Sequence, residues 1–186
     1  MKYLRLGILV IALLPLAPLV DCQYLAPEQR VYTRQDTLRG SITPERAWWD
    51  LTYYHLNIKV NPADSTIYGS NSVNYRVKSA ADIMQIDLQP PLELTRAEQN
   101  GKSLNFTREG NVYWIRMAEE QEPGRVYSLV LDYGGRPKVS RRPPWEGGIT
   151  WERDSRGLPF VASSCQGDGA SLWWPCKDHM YDEPDS

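Results

Sequence analysis

The chain has 186 residues, 41% of them hydrophobic and 24% charged, with a formal net charge of −2. That length suffices for one domain with its own core, and the charge balance excludes a nucleic-acid-binding surface, which needs a clustered basic excess. Eleven Tyr and seven Trp against two Phe, with 14 Pro and 13 Gly, favour strands joined by many turns.

Residues 1–22 read as a signal peptide. Lys2 and Arg5 give a positive start, and Leu6 to Val20 is apolar apart from Gly7 and two prolines. The run is too short and too Pro-rich for a membrane span. The expected product is secreted, periplasmic or cell-envelope associated, with no transmembrane helix after cleavage. The rivals are a lipoprotein acylated at Cys22, which the preceding Asp21 opposes, and an uncleaved anchor. Residues 23–45 are polar and aperiodic and read as an extended lead-in. The folded body spans 46–186.

From Tyr53 the pattern has period two. Tyr54, Leu56, Ile58 and Val60 share one face; Tyr53, His55, Asn57 and Lys59 share the other. Asn61-Pro62-Ala63-Asp64 turns the chain into a second alternating run, with Ile67, Val73, Tyr75 and Val77 on one side. Further strands are predicted at 83–88, 92–97, 103–108, 112–117 and 125–133. They are separated by Pro90-Pro91, the hairpin dipeptide Asn100-Gly101, Glu109-Gly110-Asn111 and an acidic turn at 119–124. Residues 134–157 are rich in Pro, Gly and Arg. Ile149 to Glu152 and Leu158 to Val161 are expected to pair as a hairpin. Evenly spaced strands without helical periodicity predict an all-β, antiparallel sheet or sandwich.

The hairpin feeds the densest stretch of the chain, residues 160–178, which holds Cys165, Cys176, Trp173 and Trp174. Gly167 and Gly169 bracket Asp168, inviting backbone conformations open to glycine. Only two histidines occur, His55 and His179, and no H-E-x-x-H or C-x-x-C spacing exists. No familiar zinc-hydrolase site can be assembled from these residues. Catalytic residues and metal ligands are therefore expected to be absent.

Cys165-Gln166-Gly167-Asp168-Gly169-Ala170-Ser171-Leu172-Trp173-Trp174-Pro175-Cys176-Lys177-Asp178-His179, followed by Asp182-Glu183-Pro184-Asp185-Ser186, resembles the end of the N-terminal β-domain of gluzincin zinc metallopeptidases. This is the family of aminopeptidase N and its leukotriene-epoxide-hydrolysing relative. The strand Tyr53 to Val60, with Tyr68-Gly69 behind it, resembles that domain's opening strands. The resemblance covers about residues 46–186. It implies a saddle-like antiparallel β-domain, incomplete at its C-terminal end, that packs on a downstream catalytic domain and forms one edge of its cleft. It implies zinc in the full-length enzyme but no cofactor in this chain, and a peptide with a free N-terminus as substrate. Gln166 matches the residue that contacts the substrate's α-amino group, with Gly167 beside it. At Ser164 the family often has Gln, so a second polar contact is altered here.

Plainer roles stand beside these. Without the resemblance, Gln166 reads as a turn residue bonding local backbone. Cys165 and Cys176 read as a disulfide or as free thiols, with burial as a small hydrophobe preferred for Cys165. Trp173 and Trp174 read as packing on the sheet rather than a sugar platform, and His55 as structural. Asp178, Asp182, Glu183 and Asp185 read as a solvated loop rather than a calcium site. Asn105-Phe106-Thr107 fits a glycosylation acceptor. The rival from another class is a non-catalytic extracellular β-sandwich that binds carbohydrate or protein. A peptidase scaffold without its zinc site is the third possibility.

Overall fold

The computed structural model describes residues 31–186; the signal segment and residues 23–30 of the lead-in lie outside the described residues. Strand makes up about 51% of the described residues, and every pairing between these strands is antiparallel, as the period-two runs predict.

Two long strands, β1 (Trp49–Asn61) and β2 (Thr66–Val77), form a hairpin paired from Trp49↔Val77 to Asn61↔Thr66, with one register shift between Leu51 and Tyr53. The turn is locked by short polar side chains: Asn61 Oδ1 accepts from Ala63 N at 3.2 Å, and Thr66 Oγ1 donates to Asp64 Oδ1 at 2.6 Å. β3 (Ala81–Asp87), β4 (Glu93–Gln99), β5 (Lys102–Ser103), β6 (Asn105–Glu109), β7 (Val112–Gln121) and β8 (Val126–Gly135) follow. They sort into a five-stranded sheet of order β1-β2-β8-β4-β5 and a three-stranded sheet of order β3-β7-β6. A separate hairpin joins β9 (Gly148–Arg153) to β10 (Pro159–Ser164), as the sequence predicts.

The core lies between the two larger sheets. Val73, Tyr75, Leu129 and Leu131 from one meet Met84, Ile86, Ile115 and Met117 from the other, all buried. Trp48 and Trp49 meet Tyr75 edge-on, with ring centroids 5.6 and 5.7 Å away. The buried Tyr75 hydroxyl is satisfied, accepting from Gln99 Nε2 at 2.7 Å and donating to Gln121 Oε1 at 2.9 Å.

Four expectations change. The lead-in is not extended throughout: α1 (Arg34–Gly40) forms within it and α2 (Pro44–Ala47) straddles its end. Thr33 and Asp36 make a reciprocal capping box at the start of α1, and Arg34 binds Glu109 at 2.8 Å. Leu56 and Val60 are exposed rather than packed with Tyr54 and Ile58, because β1 is an edge strand whose outer half has no facing layer. The Asn100-Gly101 hairpin pairs only Glu98↔Ser103 and Gln99↔Lys102. Leu104 then enters the core and the chain crosses to the smaller sheet as β6. Finally, β7 runs through the expected acidic turn as far as Gln121, whose buried side chain is held by Tyr75 and Gln99.

Candidate functional site

Ser164 ends β10 opposite Gly148, and the chain then turns sharply. The Cys165 carbonyl accepts from Asp168 N at 3.1 Å and Gly169 N at 2.8 Å. Gly167 (φ +75°) and Gly169 (φ +84°) occupy the left-handed region that this turn requires. Gln166 stands exposed on the turn, and among the described residues its carboxamide has no hydrogen-bond partner. The local backbone role open to it in the sequence is not taken. Ser164 is half-buried with an unpartnered hydroxyl, and Gly167 is exposed, its carbonyl accepting from Arg39 Nη2.

Two aspartates hold this turn in place. The Asp168 carboxylate accepts from Gly147 N at 3.1 Å and faces Lys138 Nζ at 3.5 Å and Arg39 Nη1 at 3.9 Å. Its carbonyl accepts from Gln89 Nε2 at 2.7 Å. Asp178 accepts from Ser171 N at 3.2 Å and from Ser171 Oγ at 2.5 Å. That carboxylate fills the space over Gly169, where an added Cβ would lie 2.1 Å from Asp178 Oδ2.

Behind the turn, Asp178 N donates to Asp87 Oδ2 at 2.9 Å, and Asp87 exchanges two backbone hydrogen bonds with Cys176. Asp87 also pairs with the fully buried Arg46 at 2.6 Å. Burial holds the Asp87 carboxyl above its ordinary value despite that guanidinium. Arg46 in turn donates to the carbonyls of Leu38, Arg39 and Ser41, tying α1 to the site. Next along the chain, Lys177 Nζ is buried over the Trp49 ring at 4.1 Å, donating to Trp49 O at 2.7 Å and to Asp182. Burial pushes this ammonium down to about 8 against the pull of Asp182.

The remaining sequence candidates disperse. Trp173 and Trp174 are half-buried and packed against the core, and Trp174 meets Tyr54 edge-on at 4.7 Å. Cys165 and Cys176 are free thiols, and burial pushes the ionisation of both to higher pH. His55 lies exposed on β1, while His179 Nε2 sits 3.2 Å from Gly40 O. Asp182 binds Lys177, whereas Glu183 and Asp185 face solvent. Asn105 is exposed on β6, at the edge of the smaller sheet.

Sequence reasoning missed Arg39, Gln89, Lys138 and Gly147, the partners of the turn. Only Gly147 left a trace, in the adjacent Gly147-Gly148: a Cβ on Gly147 would lie 2.2 Å from Asp168 Oδ2.

No protein-family model and no curated protein sequence matches the chain. Solved structures do. An M1 zinc metallopeptidase variant from Deinococcus radiodurans, bound to a Tyr-Ser-Ala substrate, aligns with a TM-score of 0.60 at 21% identity, over 78% of this chain and 33% of that one. The chain has the fold of the M1 N-terminal β-domain. A two-domain M1 zinc metallopeptidase variant bound to L-arginine gives a TM-score of 0.58 at 22% identity, over 74% and 31% of the two chains. Leukotriene A4 hydrolase from Saccharomyces cerevisiae gives 0.55 at 19% identity, over 71% and 21%. The chain thus spans a third or less of the length of these M1 proteins. Zinc, which the names of the two metallopeptidases carry, does not fit the described residues, among which no group of three or more His, Cys, Asp or Glu is placed to hold a metal ion.

Proposed function

We propose that residues 46–186 are the N-terminal β-domain of a zinc-dependent aminopeptidase, and that the turn after β10 receives the substrate's free N-terminus. The Gln166 carboxamide oxygen accepts from the substrate ammonium, with Ser164 and the Gly167 backbone at its sides. The observation that carries this reading is an exposed, uncommitted carboxamide on a turn pinned through Asp168 and Asp178. A group held in place before the ligand arrives loses little freedom on binding. An internal peptide bond brings no ammonium, so the same contact selects chain ends.

Hydrolysis belongs to a catalytic domain that carries the zinc ligands, and this chain alone is inactive. Two open grooves of about 610 and 400 Å³ share Pro62, Pro159 and Val161 beside the β9–β10 hairpin and offer that domain a seat, mixed in polarity in the larger groove and mainly apolar in the smaller. Export after removal of residues 1–22 completes the reading; N-terminal sequencing of the mature protein checks it.

The site is tested by NMR on residues 23–186. Tyrosinamide is expected to shift the Gln166 side-chain amide signals and N-acetyl-tyrosinamide to leave them in place; equal responses overturn the assignment. Aminoacyl-arylamide hydrolysis with added zinc is expected to be nil. Turnover that a chelator abolishes overturns the claim of inactivity.

A further inference from the structure

We infer that the loop joining β8 to β9 is a second substrate contact, in which Trp145, Arg141 and Arg142 receive the part of a peptide beyond its first residue and favour acidic chains. This rests on the reading that Gln166 takes the substrate's N-terminus.

The loop is a closed lasso. At its neck, Ile149 N donates to Lys138 O at 2.7 Å and Ser140 N to Ile149 O at 3.1 Å. Gly148 (φ +144°) sits so close that a Cβ would lie 2.6 Å from Ser140 N. At its tip, the Arg142 carbonyl accepts from Trp145 N at 2.9 Å and Glu146 N at 3.1 Å, and Ser140 Oγ donates to Glu146 O at 2.6 Å. A loop bonded at neck and tip holds its side chains outward. Trp145 is 78% exposed, and among the described residues its indole has no partner. Arg141 and Arg142 are exposed and unpaired, whereas Lys138 is engaged by Asp168.

The lasso is fastened to the Gln166 turn itself, through Gly147 N and the Asp168 carboxylate at 3.1 Å. Trp145 and Gln166 each lie two residues from that hydrogen bond. At ~3.6 Å per residue their Cα atoms are within roughly 20 Å, the reach of an extended peptide of about six residues. An ammonium at Gln166 and two guanidiniums on the lasso polarise the path. A peptide enters with its N-terminus away from the arginines, and carboxylates further along pair with them. The indole face adds a flat surface for an apolar or aromatic side chain. Single-residue amides are too short to sense any of this.

The test uses the chain with three probes, read by NMR at the Trp145 indole N–H and the Gln166 side-chain amide. Tyr-Ala-Ala-Ala-Glu-Glu is expected to shift both signals and to bind about fivefold more tightly than Tyr-Ala-Ala-Ala-Lys-Lys, the size expected of two exposed charge pairs. Tyrosinamide is expected to shift Gln166 alone. In the double variant R141E/R142E the preference should vanish or reverse, and in W145A both hexapeptides should weaken, with the tyrosinamide response at Gln166 unchanged in each. If Gln166 responds to free N-termini while Trp145 never responds, or both hexapeptides bind alike, the inference fails and the N-terminus site stands. If Trp145 responds to acidic peptides while Gln166 ignores a free amine, both fail, because the proposed path has lost its origin.

Discussion

Two positions apart on one turn, Gln166 and Asp168 have opposite surroundings: solvent for the first, and Gly147, Lys138, Arg39 and Gln89 for the second. The turn at Gln166 is legible in the sequence because its setting is local, a polar residue beside glycines at the end of a strand; the proposed role of its carboxamide comes from the resemblance and not from that setting. Asp168 is not, because its partners come from distant segments that no short-range pattern connects. Lys177 is hidden for the same reason; only the fold brings Trp49 and Tyr181 over its ammonium. Its burial has a measurable consequence. Between about pH 8 and the ordinary value of 10.5, the unfolded chain keeps a proton on Lys177 that the folded chain has released, so stability rises with pH. Cys176 opposes this from its ordinary value of 9.0 upward, because burial keeps the folded thiol protonated while the unfolded one ionises. Thermal melts at pH 8 and pH 9 should therefore show wild type gaining about 1 kcal/mol relative to K177M across that unit. No difference in slope between the two proteins refutes the depressed value.

Among elements, the β1–β2 and β9–β10 hairpins were readable from alternation and turn residues, which act over a few positions. The fate of β6 was not. Asn100-Gly101 specifies a turn, but the side chains that follow decide which sheet receives the returning strand, and Leu104 is drawn into the core. Helix α1 escaped notice because its apolar stripe is a single buried Leu38; it is held by caps and by Arg46 rather than by an amphipathic face. A pair of glycine substitutions separates conformation from crowding. Nothing lies within 4 Å of a Cβ at either Gly40 or Gly101, yet only Gly101 has positive φ (+75°). Gly101→Ala should lose about 1 kcal/mol in urea melts, while Gly40→Ala should be neutral or gain up to about 1 kcal/mol. Equal effects would show that the hairpin tip tolerates another backbone conformation.

At the scale of the molecule, part of the exposed apolar surface lies on and beside the β9–β10 hairpin. Leu158 and Phe160 are 52% and 53% exposed, Val60 is 41% exposed, and the buried Trp151 Nε1 and Thr150 Oγ1 have no partner among the described residues. Such a surface calls for a cover. Without one, sedimentation velocity should show a mass that rises with concentration, and Phe160→Ser should reduce that rise; a wild-type monomer throughout the range contradicts it. The reciprocal backbone bridge between Asp87 and Cys176 has a different reach. It sews the far end of the turn after β10 into the three-stranded sheet, so that turn cannot peel away as a private fluctuation of the surface. In hydrogen–deuterium exchange the Cys176 amide should be as slow as its neighbours in β3 and β7, opening only when the sheet opens, while the Gln166 amide exchanges freely. The edge proposed to bind substrate inherits the lifetime of the core.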